Sequence, residues 1–267
     1  MLRFAVQDSL VPGADLVDKM RNAARLGFDA LELRSAEALA APAEVRRAIG
    51  QLPLRIGSIC TNPQQDPVVE EREVREARLA AWRELILIAA DLGARGIIMV
   101  PIRRPHRLPD LTPLYTSAEL ELALLYRVLD VLLPLAEEKG VQMWIEPLNF
   151  YEAMLVPNLG KAAEICRHVN SPALGLMADT FHMNIMEPDP LASLRAAAPF
   201  LGHVHLSDSN RQLPGLGHID FGATFAVLAE MGYDGYAAIE CIAPADPEAA
   251  LPASLQSLRR ALAPVAG

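Results

Sequence analysis

The sequence predicts an α/β protein folded as a single closed barrel of eight parallel strands. Short aliphatic runs alternate with longer amphipathic stretches eight times, and Gly or Pro punctuates the joins. Length agrees, since 267 residues are ordinary for one such barrel and long for one sandwich or bundle. So does composition: 52% of residues are hydrophobic and only 5% aromatic. That balance suits many helices packed on short aliphatic strands rather than an aromatic-rich β-sandwich.

In chain order, residues 4–7 are the first strand and 8–13 a loop, and 14–26 form an amphipathic helix that Gly27 ends. Residues 30–33 give the second strand, 43–49 a helix stopped by Gly50, and 55–60 the third strand, closed by the turn Thr61-Asn62-Pro63. A long charged helix over 68–92 ends at Gly93 and leads into the fourth strand, 96–100. Residues 101–116 form a Pro- and Arg-rich loop long enough to serve as a lid. Ser117 starts a helix that reaches Lys139-Gly140, with Pro134 expected to kink or tighten it. The fifth strand is 141–146; a helix over 159–169 follows, and the apolar run 173–178 reads as a buried sixth strand. Residues 190–198 are helical, 202–206 the seventh strand, 221–231 a helix that Gly232 ends, 236–240 the eighth strand and 247–262 the closing helix. No linker or shift in composition divides the chain, so residues 1–267 are expected to form one domain, a single (β/α)8 TIM barrel.

A net charge of −9 argues against nucleic acid as a partner. Cys60, Cys166 and Cys241 show no paired metal spacing and leave an odd thiol, which fits a reducing cytosol. The first strand follows Met1 without a signal-peptide core, and no apolar run approaches the length that spans a bilayer. The expectation is a soluble, cytoplasmic protein with no membrane partner. The apolar stretch 122–125 fits either barrel packing or the interface of a homo-oligomer.

An α/β barrel carries its chemistry at the C-terminal mouth of its strands, while the opposite face mostly serves stability. Four consecutive strands end there in ligand-type residues: Glu146, Asp179, His205 and Glu240. Side chains alternate along a strand, so Gln142, Trp144 and Glu146 share a face, as do His203 and His205, and Ala238 and Glu240. With those faces inward, three carboxylates and one imidazole converge. Without a cation the carboxylates would repel one another and have to take up protons, and a divalent metal removes that penalty. Oxygen ligands with one nitrogen suit Mn²⁺, Co²⁺ or Mg²⁺, with Zn²⁺ a further option. A strand-end acid taken singly usually caps a helix or pairs with Arg; four in register carry the metal reading. His182, Glu152 and Arg211 surround the same point, against plainer readings as a helix cap and a solvated loop pair. His203, one layer lower, reads as a core histidine, and His168 and His218 have no spacing argument.

Glu146-Pro-Leu-Asn149 through Glu152, Ala178-Asp-Thr-Phe-His-Met-Asn184, His203-Val-His205, Asn210-Arg211 with Pro214-Gly215, and Ile239-Glu240 together resemble the xylose-isomerase-like TIM-barrel superfamily. Within it the chain is most similar to ketose 3-epimerases of the D-tagatose/D-psicose (allulose) type and to related sugar phosphate isomerases and epimerases. The match is specific across the C-terminal half and loose across the N-terminal half. It implies that Glu146, Asp179, His205 and Glu240 bind a catalytic divalent metal, Mn²⁺ or Co²⁺ ahead of Mg²⁺ or Zn²⁺. It also implies that His182, Arg211 and Glu152 hold the carbonyl-end oxygens of a small sugar or sugar phosphate.

A metal that chelates a carbonyl and the neighbouring hydroxyl acidifies the C–H between them and stabilises an enediolate. Glu146 and Glu240, as the catalytic pair, would remove and return that proton, which suits 3-epimerisation; return to the neighbouring carbon gives aldose–ketose isomerisation instead. Two departures from the resemblance concern the far end of the substrate. Phe150-Tyr151 stands where many such epimerases have Arg-Phe, and their aromatic residues around the first strand are absent from Ala5-Val6-Gln7-Asp8. Arg103, Arg104, His106 and Arg107 cluster in the loop after the fourth strand, expected either to receive a substrate phosphate or carboxylate or to pair with surface acids.

An inosose dehydratase or isomerase and a hydroxypyruvate isomerase would use the same enolising site on other substrates. An apurinic endonuclease resembles the family in fold but draws extra histidines from strands three and four, which here end in Ser58-Ile59-Cys60 and Met99-Val100-Pro101-Ile102. The acidic charge also opposes DNA. A non-catalytic sugar-binding barrel would have no need to keep every polar group that enolisation requires.

Overall fold

The computed structural model describes residues 2–263. Eight strands, β1 (Arg3–Gln7), β2 (Ala30–Arg34), β3 (Arg55–Cys60), β4 (Gly96–Met99), β5 (Gln142–Ile145), β6 (Leu174–Asp179), β7 (Leu201–Leu206) and β8 (Tyr236–Ile239), lie in sequence order. All pair in parallel, and β8 closes on β1 from Arg3↔Tyr236 to Val6↔Ile239. Closure leaves no strand edge unpaired, and helices cover the outer face, which is why the strands read as continuous apolar runs rather than as alternation.

The helices are α1 (Leu16–Arg25), α2 (Ser35–Ala40), α3 (Pro42–Ile49), α4 (Arg72–Leu92), α5 (Ser117–Lys139), α6 (Leu159–Val169), α7 (Thr180–Met186), α8 (Pro190–Ala197), α9 (Phe221–Glu230) and α10 (Pro247–Leu262). Local chemistry sets their ends. Asp15, Asn158, Asp189, Asp220 and Asp246 each accept a backbone N–H at an N-terminus, and Thr116 with Glu119 forms a capping box on α5. Gly93 and Gly140 end the two long helices in the left-handed region, at φ 67°. α5 runs on through Pro134 to Lys139.

Two expectations shift. The helix expected from residue 68 begins at Arg72, because Val68 and Val69 are buried in the preceding loop, where the Val68 N–H donates to the Pro101 carbonyl at 3.1 Å. Two short helices, α2 and α7, fill stretches that lack a full amphipathic period. The second matters for the site: Asp179 ends β6 and also caps α7 by accepting the Phe181 N–H at 2.8 Å.

Trp144 fills the barrel interior with Cys60, Ile98 and Met177. Its indole N–H donates to Gln142 at 2.9 Å, and His203 stacks on the ring at 5.1 Å with planes 7° apart. Gly96, Gly175 and Gly202 crowd this ring, and a Cβ at any of them would press on the indole. The Trp144 ring is therefore closely packed inside the barrel. Among the described residues no helix is long and apolar enough to cross a membrane.

Candidate active site

Asp179 and His205 are direct register partners on β6 and β7, and His205 pairs with Ala238, two residues before Glu240. Glu146 and Glu240 each follow the last residue of a strand and prolong its ladder, with N–H groups donating to the Met99 carbonyl (2.9 Å) and the Leu206 carbonyl (3.2 Å). Register thus brings all four to one level. Glu146, Asp179, His205 and Glu240 each offer a ligand atom, and these atoms lie within 4.8 Å of one another. Glu146, Asp179 and His205 are buried and Glu240 is partly exposed.

The electrostatics of the cluster are those of charges packed tightly together. Burial alone would raise the Glu240 carboxyl, but the facing charges of His205 and then Arg211 bring it down to about 2. Burial likewise disfavours a charged His205, yet Glu32 and Glu240 outweigh it and hold the imidazole well above its usual range. His205 Nδ1 is buried without a hydrogen-bond partner among the described residues, 3.3 Å from Glu240 Oε2 and 3.7 Å from Glu146 Oε1. An orphaned imidazole nitrogen facing three carboxylates is a donor set that a divalent cation completes. Burial, reinforced by Glu240, Glu32 and Glu146, pushes the nearby Cys60 thiol well up, so it stays protonated and is no nucleophile.

Arg211 closes the mouth. Its Nη1 donates to Asp179 Oδ2 at 3.3 Å, its Nη2 donates to Glu240 Oε2 at 3.0 Å, and its guanidinium lies over Phe181 at 4.7 Å. Nη1 is also 3.0 Å from His182 Nε2. His182 stands on α7, and its Nδ1 accepts the Asn149 N–H at 3.2 Å. Asn149 Nδ2 in turn donates to Glu152 Oε1 at 3.0 Å, on the loop after β5. The three surrounding residues expected from sequence are therefore linked in one polar chain, Glu152–Asn149–His182–Arg211, with Asn149 the member that the sequence reading leaves unassigned.

The basic loop turns its cations to its own chain. Arg103 donates to the buried Asp66, His106 Nδ1 lies 2.6 Å from Glu121 Oε2, and Arg104 donates to the Phe150 carbonyl at 2.6 Å. Of the two expectations for this cluster, the contacts of Arg103 and His106 match pairing with acids, though those acids, Asp66 and Glu121, are buried and not at the surface.

Sequence reasoning also passes over Glu32. It is fully buried on β2 beneath the cluster, and its neighbours there, Ala30, Leu31 and Leu33, are all apolar. A single acid inside so short an aliphatic strand is the signal that could have found it. His203 is a core histidine as expected, with Nε2 2.9 Å from Glu32 Oε2.

A family model described as xylose isomerase-like TIM barrel matches residues 20–261. The chain belongs to this family. Its relatives include the 3-dehydro-D-guloside 4-epimerase of Escherichia coli K12, 28% identical over 97% of this chain and 99% of that one. The L-ribulose 3-epimerase of Mesorhizobium japonicum is 28% identical over 82% of this chain and 73% of its own length. The D-psicose 3-epimerase of Ruminiclostridium cellulolyticum is 35% identical, over 39% of this chain and 36% of that enzyme. Among solved structures, an apo 3-keto-D-glucoside 4-epimerase from E. coli superposes with a TM-score of 0.89 at 27% identity, covering 97% of this chain and 100% of that one. A D-psicose 3-epimerase with D-tagatose from Clostridium cellulolyticum superposes at 0.82 with 21% identity, over 97% and 99% of the two chains, a likeness of fold.

Proposed function

We propose that the chain is a metal-dependent sugar epimerase, an enzyme of the isomerase class, that inverts the carbon next to a ketone. One observation carries the reading: Glu146 and Glu240, from the non-adjacent strands β5 and β8, stand on either side of Asp179 and the unpartnered His205 Nδ1, with all four ligand atoms within 4.8 Å. Glu146, Asp179, His205 and Glu240 would hold the cation, Mn²⁺ or Co²⁺ by preference and Mg²⁺ or Zn²⁺ as alternatives. When bound, it supplies Lewis acidity to the ketone and its neighbouring hydroxyl. The chain's own residues do the rest. One of the two glutamates takes the proton from the carbon next to the ketone, and the other returns one to the opposite face. Arg211 and His182 orient the carbonyl-end oxygens, and Glu152, tied to Asn149, binds a hydroxyl.

Inversion at C3 of a ketose is the reading that the D-psicose and L-ribulose 3-epimerase relatives support. Inversion at C4 of a 3-keto-glycoside is the second, favoured by the relative that matches nearly the whole chain. Phe150 and Tyr151 support it as well: their rings lie 4.0 Å apart on the loop that carries Glu152, and both are exposed. Such an apolar lip offers a face for a ring beyond the reacting sugar. Both readings use the same two proton transfers, removal from one face and return to the other. Supplying the Mn²⁺-loaded protein with D-psicose, L-ribulose, their phosphates and a methyl 3-keto-glucoside, and separating the products, tests the proposal. Conversion of any of these to its epimer supports it, and metal-loaded protein that converts none contradicts it. The phenyl 3-keto-glucoside should lose about tenfold in kcat/KM in Phe150→Ala/Tyr151→Ala if it stacks on this lip.

A further inference from the structure

The reaction as proposed makes no use of Glu32, yet this fully buried acid is ringed by donors. Ser58 Oγ donates to Glu32 Oε2 at 2.6 Å and Gln7 Nε2 to Oε1 at 3.3 Å. His203 Nε2 lies 2.9 Å from Oε2, and His205 Nε2 lies 2.9 Å from Oε1 and 3.1 Å from Oε2. A carboxylate only accepts, so each of these imidazole nitrogens presents an N–H to it. For His205 that fixes the ring: Nε2 keeps its proton towards Glu32, so Nδ1, which faces Glu146 and Glu240, is the nitrogen that would exchange its proton for a cation. A second arm reaches the same cluster. Gln7 Nε2, besides Glu32, donates to Glu240 Oε1 at 3.0 Å, and the amide is held in that orientation because Ser9 Oγ donates to Gln7 Oε1 at 2.7 Å.

We infer that Glu32 is a positioning residue, which sets the tautomer and aim of His205 and, through Gln7, fixes where Glu240 stands. The inference rests on His205 and Glu240 being cation ligands. Glu32, His203 and His205 also form a group with metal-binding spacing of its own. The brace reading requires that this group hold protons and not a second ion, because Ser58 and Gln7 already direct donors at the same carboxylate.

Calorimetric titration of Co²⁺ into the wild-type chain and Glu32→Gln, with the visible Co²⁺ spectrum recorded in parallel, tests this. The glutamine offers an N–H₂ group to the imidazoles, which favours the wrong His205 tautomer. One Co²⁺ per wild-type chain is expected, with 10- to 100-fold weaker binding and an altered spectrum in Glu32→Gln. Unchanged affinity and spectrum in the variant, or two ions per wild-type chain, would overturn the brace. A wild-type chain that binds no Co²⁺ would overturn the cation reading beneath it. A second measurement needs no variant: in the Zn²⁺-loaded wild-type protein, ¹H–¹⁵N correlation of the histidine rings should show His205 protonated at Nε2. A proton at Nδ1 would contradict the proposal even if Glu32→Gln fails to fold.

Discussion

Arg211 holds its guanidinium over the cluster from a backbone in the left-handed region, φ 61°, where a side chain is strained. The strain is borne by the contacts at its end: Asp179, Glu240 and Phe181. Burial opposes the charge, but Asp179, Glu240, Glu146 and Glu152 together raise its pKa further, so it stays a cation at every working pH. Arg211→Lys keeps the charge and loses the two-pronged bridge, and KM should rise about 10- to 100-fold in steady-state assays, as expected for a lost charge-assisted hydrogen bond. Gly202 makes the opposite kind of demand. A Cβ there would collide with the Trp144 indole, so Gly202→Ala should destabilise the fold by about 1–3 kcal/mol in denaturant unfolding. At this scale the sequence was uneven in what it disclosed. Glu146, Asp179, His205 and Glu240 were legible because each stands at the end of an apolar run, where nothing in the core requires a charge. Glu32 was not, because its partners His203, His205, Ser58 and Gln7 come from three other strands, and only closure of the barrel brings them together.

Two loops at this end of the barrel are braced by buried acids. The loop after β7 winds around Asp208, which accepts the N–H groups of Ser209 (2.8 Å), Gly215 (2.8 Å) and Ile219 (3.1 Å) and so presents Arg211. Burial would raise the Asp208 carboxyl, but those N–H groups hold it below its ordinary value. The sign follows from that depression: the stabilisation is full above the ordinary aspartate range and is lost as pH falls through it towards the lower folded value. Asp208→Asn should therefore lower the melting temperature at pH 7, while the gap from wild type narrows towards pH 2 in a thermal series. The loop of residues 101–116 is pinned in the same manner, with Glu121 of α5 accepting the Arg107 N–H at 2.7 Å and facing His106. Glu121→Gln should speed amide exchange across 101–116 and leave the strands protected. Such loops were the least legible part of the sequence. The cations of 101–116 were plain to read, but the acids they serve lie 37 positions away at Asp66 and 15 at Glu121.

For the whole molecule, the hydrophobic period and the Gly and Pro punctuation were enough to read eight strand–helix units, because each strand is buried on both faces and each long helix ends at a residue suited to its turn. The resulting closed sheet, with the residues that directly follow β5 and β8, holds four chemically matched residues at one level. Function then depends on whether Glu146 and Glu240 carry out proton removal and proton return on opposite faces of a sugar. The direct measurement is deuterium incorporation from D₂O, followed by NMR, with each pure epimer of a converted substrate and with wild type, Glu146→Gln and Glu240→Gln, all metal-loaded. The account predicts metal-dependent labelling next to the ketone in wild type. It also predicts epimerisation slowed about 10²- to 10⁴-fold in both variants, each still labelling only the epimer whose proton faces its remaining glutamate. Wild-type levels of epimerisation in either variant, or product formed without exchange at that carbon, would contradict it.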